Sequence, residues 1–347
     1  MGKYSIDAYE QYALTKLRPA VLAQGESCYR LLKLSQTQLE PENGNFLPIP
    51  EIEAGKWILA LELDVSCDAA DACGFIRRMG SHYAGGKGFA GVVMTSGKFS
   101  GSVLADLALA YIQAFEACAL LAAPGSEIME VCRKLGVQPG LWIDLNEGIL
   151  TQRRRIAENN LERVWRDHPV YVYAGHDLSA EEFDAAKRWH ASGVDTSACV
   201  GAQMTLRRVM FPSELTAGGV MPVRVWWQNI GTAPLYCNAK VHMELGRGEE
   251  RYAISIPGEV NAPSLGDTTF NTTATLPCVP CGTYDLWIGL EMCNYLMPLA
   301  IDAESVGGLY KIGEVNLDDI SRPYLDTMWE EQYADGYYPL EDPAQPE

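Results

Sequence analysis

The chain has 347 residues, 48% of them hydrophobic and 21% charged, the composition of a folded globular protein with one large domain or two ordinary ones. Its 27 Lys and Arg stand against 45 Asp and Glu, a net charge of −18. That balance repels phosphate backbones and anionic membrane surfaces, so neither nucleic acid nor a membrane is expected as a partner. No segment reaches the ~18–20 uninterrupted apolar residues of a membrane span. The most apolar stretch, 104–123, is broken by Asp106, Gln113 and Glu116. The N-terminus lacks the apolar core of a signal peptide, and Ile6 stands where a myristoylation signal needs Ser or Thr, so a cytoplasmic location is expected.

Before residue 200, short apolar runs alternate with helical patterns. The runs read as strands at Cys28–Leu34, Trp57–Val65, Phe89–Met94, Cys118–Ala122, Leu141–Leu145, Pro169–Tyr173 and Val194–Val200. Helical spacing covers Val103–Phe115, Glu127–Leu135 ahead of Gly136, Gln152–Trp165, and Ser179–His190, which opens on the capping box Ser179-Ala-Glu-Glu182. Strands alternating with helices predict a parallel sheet with helical crossovers, here a (β/α)8 TIM-type barrel, with a doubly wound sheet as the alternative. No G-x-G-x-x-G follows a strand, and there is no P-loop. Gly85-Gly86-Lys87-Gly88 precedes a strand and not a helix, which argues against a phosphate cradle.

From residue 204 the pattern is all-β. Seven runs (205–211, 223–228, 240–245, 252–256, 268–276, 284–290 and 310–315) are separated by Gly, Pro and Asn clusters and predict a β-sandwich. The expected fold class is therefore α/β plus all-β, with a barrel over 1–202, a sandwich over 203–317 and a tail over 318–347. That tail holds nine acidic residues and one basic, with Trp329, Tyr333, Tyr337 and Tyr338. It reads either as a solvated segment or as an aromatic arm that packs on the body or on a second copy in a homo-oligomer. The ten cysteines are scattered; the one close pair, Cys278-Val-Pro-Cys281, reads as reduced thiols, a local disulfide or half of a metal site. Five histidines are spread without metal spacing, so no metal and no cofactor are expected. Ser96-Gly97 is not a nucleophile elbow.

Strand alternation says which side chains would reach a barrel mouth at the carboxyl ends of the strands. In WILALELDV, Leu59, Leu61 and Leu63 share one face and Ala60, Glu62 and Asp64 the other. In LWIDLNEG, Trp142, Asp144 and Asn146 face inward; in PVYVY, Tyr171 and Tyr173 do. Glu147 and His176 lie just past strand ends. Carboxylates beside aromatic rings suit a sugar, whose apolar ring face stacks on the aromatics, and a carboxyl pair can supply acid and base or nucleophile. The catalytic pool is then Glu62, Asp64, Asp144 and Glu147. The substrate-binding set is Arg30, Trp142, Asn146, Tyr171, Tyr173 and His176. The same carboxylates also read as solvated or loop-bonded groups with no catalytic part.

Several segments carry a family resemblance. Tyr29-Arg-Leu-Leu-Lys through Leu39-Glu-Pro-Glu-Asn-Gly-Asn-Phe46, the strand ending at Asp64, Val164-Trp-Arg-Asp-His-Pro-Val170 and Arg188-Trp-His-Ala-Ser192 resemble parts of glycosidase-type barrels. Trp227-Gln-Asn-Ile-Gly-Thr-Ala-Pro-Leu-Tyr236 looks like the W-x-N-x-G-x-A-P-x-Y signature of an immunoglobulin-like sandwich. Together they resemble a bacterial β-galactosidase-like family of poorly known function, over about residues 25–317. The resemblance implies a glycoside hydrolase acting on an oligo- or polysaccharide. Such barrels place an acid/base Glu after strand four and a nucleophile Glu after strand seven. The matching positions, after FAGVVM and after PVYVY, read Thr95-Ser-Gly-Lys and Ala174-Gly-His176-Asp177, without Glu. That departure supports an alternative: a barrel without catalysis that binds a glycan or serves assembly.

Overall fold

The structure, a computed structural model, describes residues 12–16, 29–36, 57–84, 89–196, 200–260, 265–292 and 295–325. Chain contacts divide it into two compact units, Ala23–Ala202 with Gly231–Tyr236, and Met1–Leu22 with Gln203–Ile230 and Cys237–Glu347. The Gly85–Gly88 run, the LEPENGNF segment and the tail aromatics lie outside the described residues.

In chain order the elements begin with β1 (Tyr12–Lys16), β2 (Arg30–Ser35), β3 (Trp57–Glu62), α1 (Ala69–Tyr83), β4 (Phe89–Val93), α2 (Val103–Ala114) and β5 (Ala119–Ala122). They continue with α3 (Glu127–Lys134), β6 (Gly140–Asp144), α4 (Ile149–Glu158), β7 (Val170–Tyr173), α5 (Ala180–Arg188) and β8 (Gly193–Val194). Strands β2 to β8 form one parallel sheet in strictly sequential order. That order has no reversal point, which removes the doubly wound alternative.

The (β/α)8 barrel expected from the alternation is not formed. The sheet has seven strands and is curled as a half-barrel, and five α-helices are present among the described residues. Two physical reasons account for this. The strand that precedes β2, β1, pairs antiparallel with Met204–Pro212 in the other unit, so its backbone groups are satisfied there. The last strand, β8, has only two residues, because the expected run Val194–Val200 leaves the sheet after Val194. The edges β2 and β8 are not paired as strands. The Tyr29 N–H donates to the Val194 carbonyl at 3.0 Å, and the Tyr29 hydroxyl donates to the Val172 carbonyl at 2.9 Å.

The sheet has two apolar faces. The helix-side layer contains Leu59, Leu61, Val92, Ile143, Val172 and Val194 from the strands, with Phe75, Ile76, Met79, Leu107 and Tyr111 from the helices. Each fully buried side chain of this size contributes ~1.5–3 kcal/mol. Helix α1, which the strand-and-turn reading passed over, starts where the Asp68 carboxylate accepts from the Asp71 N–H at 2.9 Å. It buries Ala72, Phe75, Ile76, Met79 and Tyr83 at helical spacing. Its Gly80 lets α2 approach, since a Cβ there would lie 2.4 Å from the Ala114 carbonyl oxygen. Helix α5 begins with the predicted capping box, both hydrogen bonds present. The concave layer holds Tyr29, Ile58, Val93, Leu121 and Trp142, with Leu31, Ala60, Tyr171 and Tyr173 against it.

The second unit consists of two sheets that are antiparallel but for one short pair. Its strands are β9 (Met204–Pro212), β10 (Glu214–Thr216), β11 (Val220–Asn229), β12 (Lys240–Arg247), β13 (Glu250–Ile254), β14 (Gly266–Thr275) and β15 (Gly282–Met292). The short β16 (Tyr295–Met297) and β17 (Ser305–Val306) precede β18 (Leu309–Asp318). One sheet runs β1-β9-β11-β14, the other β10-β18-β15-β12-β13, with β16 on β15 and β17 on β18. The expected seven strands are thus joined by β1 and three short ones, and β10 pairs with β18 in parallel. Trp227, the first residue of the signature segment, is fully buried in this unit, and Asn229 accepts from the Gln203 N–H at 3.1 Å.

Gly193 leaves room where the curled sheet brings two aromatic rings against β8. A Cβ on it would stand 2.9 Å from Tyr171 Cε1 and 3.3 Å from Tyr29 Cδ1. Gly193→Val is expected to lower stability by ~1–3 kcal/mol through overpacking. A thermal melt checks this, and an unchanged midpoint would show that the β8 edge gives way freely.

Candidate functional site

The concave face is built from aromatic residues that alternation on β6 and β7 directs inward. Trp142 stacks on Tyr173, centroids 5.7 Å apart at 20°. Tyr29 meets Trp142 edge-on at 5.9 Å and Tyr171 edge-on at 5.3 Å. Such geometries add ~0.5–1.5 kcal/mol to the area burial of each pair. Trp142 is only 9% exposed, so it forms the floor beneath Tyr173 and presents little free face to a ligand. Tyr171 and Tyr173 are half-buried. Burial, with Asp195 next, holds the Tyr29 phenol above its usual range, and burial pushes Tyr171 up to about 12.

The four carboxylates of the expected pool stand at the carboxyl ends of β3 and β6 or just past them, but their surroundings differ. Glu62, opposite Ser35 in register, is exposed, and its carboxylate makes no hydrogen bond or ion pair among the described residues. Asp64 Oδ1 accepts from the Ser66 N–H at 2.7 Å and the Ser66 hydroxyl at 2.8 Å. These bonds, with Lys98 nearby, hold its carboxyl below the usual carboxylate range. Asp144 accepts from the Asn146 N–H and from Asn146 Nδ2, both at 2.9 Å. Glu147 is ion-paired with Arg155 and accepts from Gln152 Nε2 at 3.1 Å. Gln152 itself is buried and also donates to the Asp144 carbonyl at 2.8 Å, so one side chain clamps the whole Asp144–Glu147 turn.

Of the expected binding residues, Asn146 serves Asp144. His176 donates from Nδ1 to the Ala174 carbonyl at 2.9 Å, and its Nε2 lies 3.2 Å from Glu182 at the start of α5. Glu182 is held below the usual carboxylate range by the Ser179 hydroxyl, then the Ser179 N–H, then His176. Arg30 opens β2 opposite Trp57, and its side chain lies outside the described residues.

Three residues of the concave face escaped the sequence reading. Tyr29 and Lys33 share a face with Leu31, a pattern legible by carrying alternation back along CYRLLKL. Asp195 directly follows β8, and its two carboxylate oxygens accept from the Ala174 and Gly175 N–H groups at 2.8 Å each. A carboxylate therefore does sit beside the end of β7, supplied by the next strand. The strand count behind the resemblance also shifts. Counted from β2, FAGVVM is third and PVYVY sixth; the fourth strand, β5, is followed by Ala123-Pro124 and the seventh by Asp195. Among the described residues no group of three or more His, Cys, Asp or Glu could hold a metal ion, and no helix is long and apolar enough to cross a membrane.

No family model matches the chain, and no curated protein does. Solved structures give weak likenesses. The CARDB domain of a Pyrococcus furiosus protein, in complex with di-metal ions, is 14% identical over 33% of this chain and 93% of its own, with a TM-score of 0.21. A β-glucosidase from Listeria innocua in complex with glucose is 11% identical over 60% of this chain and 41% of its own, TM-score 0.23. An alkylpurine DNA glycosylase from Pseudomonas fluorescens is 8% identical over 73% and 54%, TM-score 0.22. The chain spans less than two thirds of those two enzymes. Likenesses at such scores carry no argument for fold or function, and the site's residues have to be argued on their own chemistry.

Two outcomes are expected here. The neutral Tyr171 phenol has a folded pKa raised from 10.0 to about 12, so its contribution to stability is complete below pH 10 and is lost as pH rises through about 12. Tyrosinate absorbance recorded beside circular dichroism should show late phenols that ionise only as structure is lost, fewer of them in Tyr171→Phe. Gln152→Leu should cost ~0.5–1.5 kcal/mol, because the part-buried Asp144 carbonyl and the Glu147 carboxylate each lose a donor. Denaturant unfolding reads it, and an unchanged stability would mean that Asp144 and Asn146 hold the turn unaided.

Proposed function

We propose that this chain is a carbohydrate-active protein that takes an oligo- or polysaccharide on the concave face of the curled sheet. The observation that carries the reading is the Trp142–Tyr173 stack with Tyr171 beside it, at the same strand ends that bear Glu62 and Asp144. Tyr173 and Tyr171 offer ring faces to a pyranose, with Trp142 as their support. Carboxylates at the rim accept from sugar hydroxyls.

The chemistry assigned to this site is glycoside hydrolysis with acid and base or nucleophile drawn from the carboxylate pool. Glu62 leads it, because its oxygens are committed to no partner among the described residues. Asp144 follows. It keeps one oxygen, Oδ2, outside the bonds to Asn146. Asp64 is held ionised by Ser66, which suits it to stabilise positive charge and not to donate a proton. Glu147 is occupied by Arg155 and Gln152 and completes the pool only if that pair opens. Asn146 and His176 remain assigned to the surround of the ligand.

A second reading, glycan binding without turnover, is favoured by a specific observation: Asp64, Asp144 and Glu147 are each tied into a local turn. One experiment separates the two. Purified protein is incubated with a panel of oligo- and polysaccharides, and products are followed by chromatography. Glu62→Gln and Asp144→Asn are each expected to lower turnover by ~10²–10⁴-fold with the fold intact. Near-normal rates in both variants would remove the assignment. Binding by the wild type without product would select the second reading.

A further inference from the structure

We infer that the hexapeptide Gly231–Tyr236 is a strap that holds β8 in the parallel sheet, with His190 as its anchor; this goes beyond the carbohydrate reading and does not need it. The hexapeptide is flanked on both sides by residues of the antiparallel unit, yet it belongs to the same compact unit as Ala23–Ala202. Its Ala233 and Leu235 are buried. Thr232 brackets β8. Past the strand, its N–H donates to the Gly201 carbonyl at 2.8 Å, and its hydroxyl oxygen accepts from the Gly201 N–H at 2.7 Å. Ahead of the strand, the same hydroxyl donates to the Ala191 carbonyl at 2.9 Å. Tyr236 extends the hold to β7. Its hydroxyl donates to the Trp165 carbonyl at 2.8 Å and accepts from Ser192 Oγ at 3.4 Å. Ser192 Oγ in turn accepts from the Val170 N–H, at the start of β7, at 3.0 Å. Trp165, Ser192 and the hexapeptide come from three of the segments that carry the family resemblance, and they meet at the amino ends of β7 and β8.

His190 separates a strap from a chance contact. Helix α5 ends at Arg188 with Trp189 as its cap, and the chain turns toward β8 through His190, whose φ of 53° lies in the left-handed region. Glycine takes the position after a helix cap without steric cost. A histidine there carries backbone strain, which persists only where surrounding contacts over-determine the conformation. Those contacts are the strap and Trp165. The His190 Nδ1–H donates to the Thr232 carbonyl at 2.8 Å, and its ring stacks on Trp165 with centroids 3.6 Å apart at 21°. The two-residue strand β8 pairs with β7 alone among the described strands, so its own ladder holds it weakly. It nevertheless carries bonds that shape the concave face. The Val194 carbonyl receives the Tyr29 N–H, and Asp195 receives the Ala174 and Gly175 N–H groups at the end of β7. A strap fastened on both sides of β8 thereby fixes the residues that meet Tyr29 and clamp the β7 loop.

The test is residue-resolved hydrogen exchange of backbone amides in the whole chain, for the wild type, His190→Gly, Thr232→Val and Tyr236→Phe. Three amides report on β8: Tyr29, bonded to Val194; Ala174, bonded to Asp195; and Ser192, bonded to the Val170 carbonyl at 2.6 Å. Ile76 and Met79, buried in α1, report on the fold as a whole. Loosening the strap should speed exchange at the three β8 reporters about five- to tenfold, the size of one lost hydrogen bond, through local opening. Ile76 and Met79 should keep their wild-type rates. His190→Gly discriminates most sharply, because relief of the left-handed strain alone would leave exchange unchanged or slow it, whereas loss of the anchor speeds it. Unchanged or slower exchange at the three reporters in His190→Gly, or equal acceleration at Ile76 and Met79 in every variant, would overturn the inference. Should Thr232→Val fail to fold, Tyr236→Phe, which removes one hydroxyl, decides by the same amides.

Discussion

Tyr29 holds the curl of the parallel sheet. It stands just before the first strand of that sheet and reaches the last two. Its N–H bonds the Val194 carbonyl, its hydroxyl bonds the Val172 carbonyl, and its ring lies edge-on to Trp142 and Tyr171. A polar phenol at 2% exposure is tolerated only because its hydroxyl has that carbonyl to meet. Gly193 is the matching concession on the other side: it carries no side chain where the two tyrosine rings need the room. The sheet thus bends around one residue that satisfies backbone groups at both edges without a strand pairing between them.

The site follows from that bend. Trp142 stands opposite Tyr171 and diagonal to Tyr173 on paired strands, and the curl brings Tyr29 from the other edge into the same layer. The floor of that layer is filled by Trp142, and Asp144 stands opposite Tyr173 in register at the strand ends. The carboxylates there are not equivalent. Asp64 and Asp144 are met by donors two residues on and Glu147 by Gln152 and Arg155, whereas Glu62 is exposed. This difference, invisible in a list of acidic residues, separates an exposed strand-end carboxylate from carboxylates that shape loops.

Much of the local structure was legible in sequence because its causes are local. The Ser179–Glu182 capping box, the apolar runs of β3, β4, β6 and β7, and the inward set Trp142, Tyr171 and Tyr173 each follow from spacing over a few residues. Helix α1 follows from equally local signals, the Asp68 cap and the Ala72, Phe75, Ile76, Met79, Tyr83 series. Asp195 was hidden for a different reason. An aspartate after a two-residue strand looks like a turn residue until the end of β7 is seen to hold its carboxylate.

The sequence by itself determined the order of elements, the division into a parallel α/β part and an antiparallel part, and which faces are apolar, because periodicity is a property of neighbouring residues. Only the tertiary structure decided that the seven strands of the parallel sheet stay open and that β1 goes elsewhere. Strand count depends on where distant backbones find hydrogen-bond partners: β1 finds β9, and Tyr29 finds Val194 and Val172. No local pattern in Tyr12–Lys16 names its partner two hundred residues away, and so the seven strands legible in the alternation form an open curl in space and not the closed barrel expected of them.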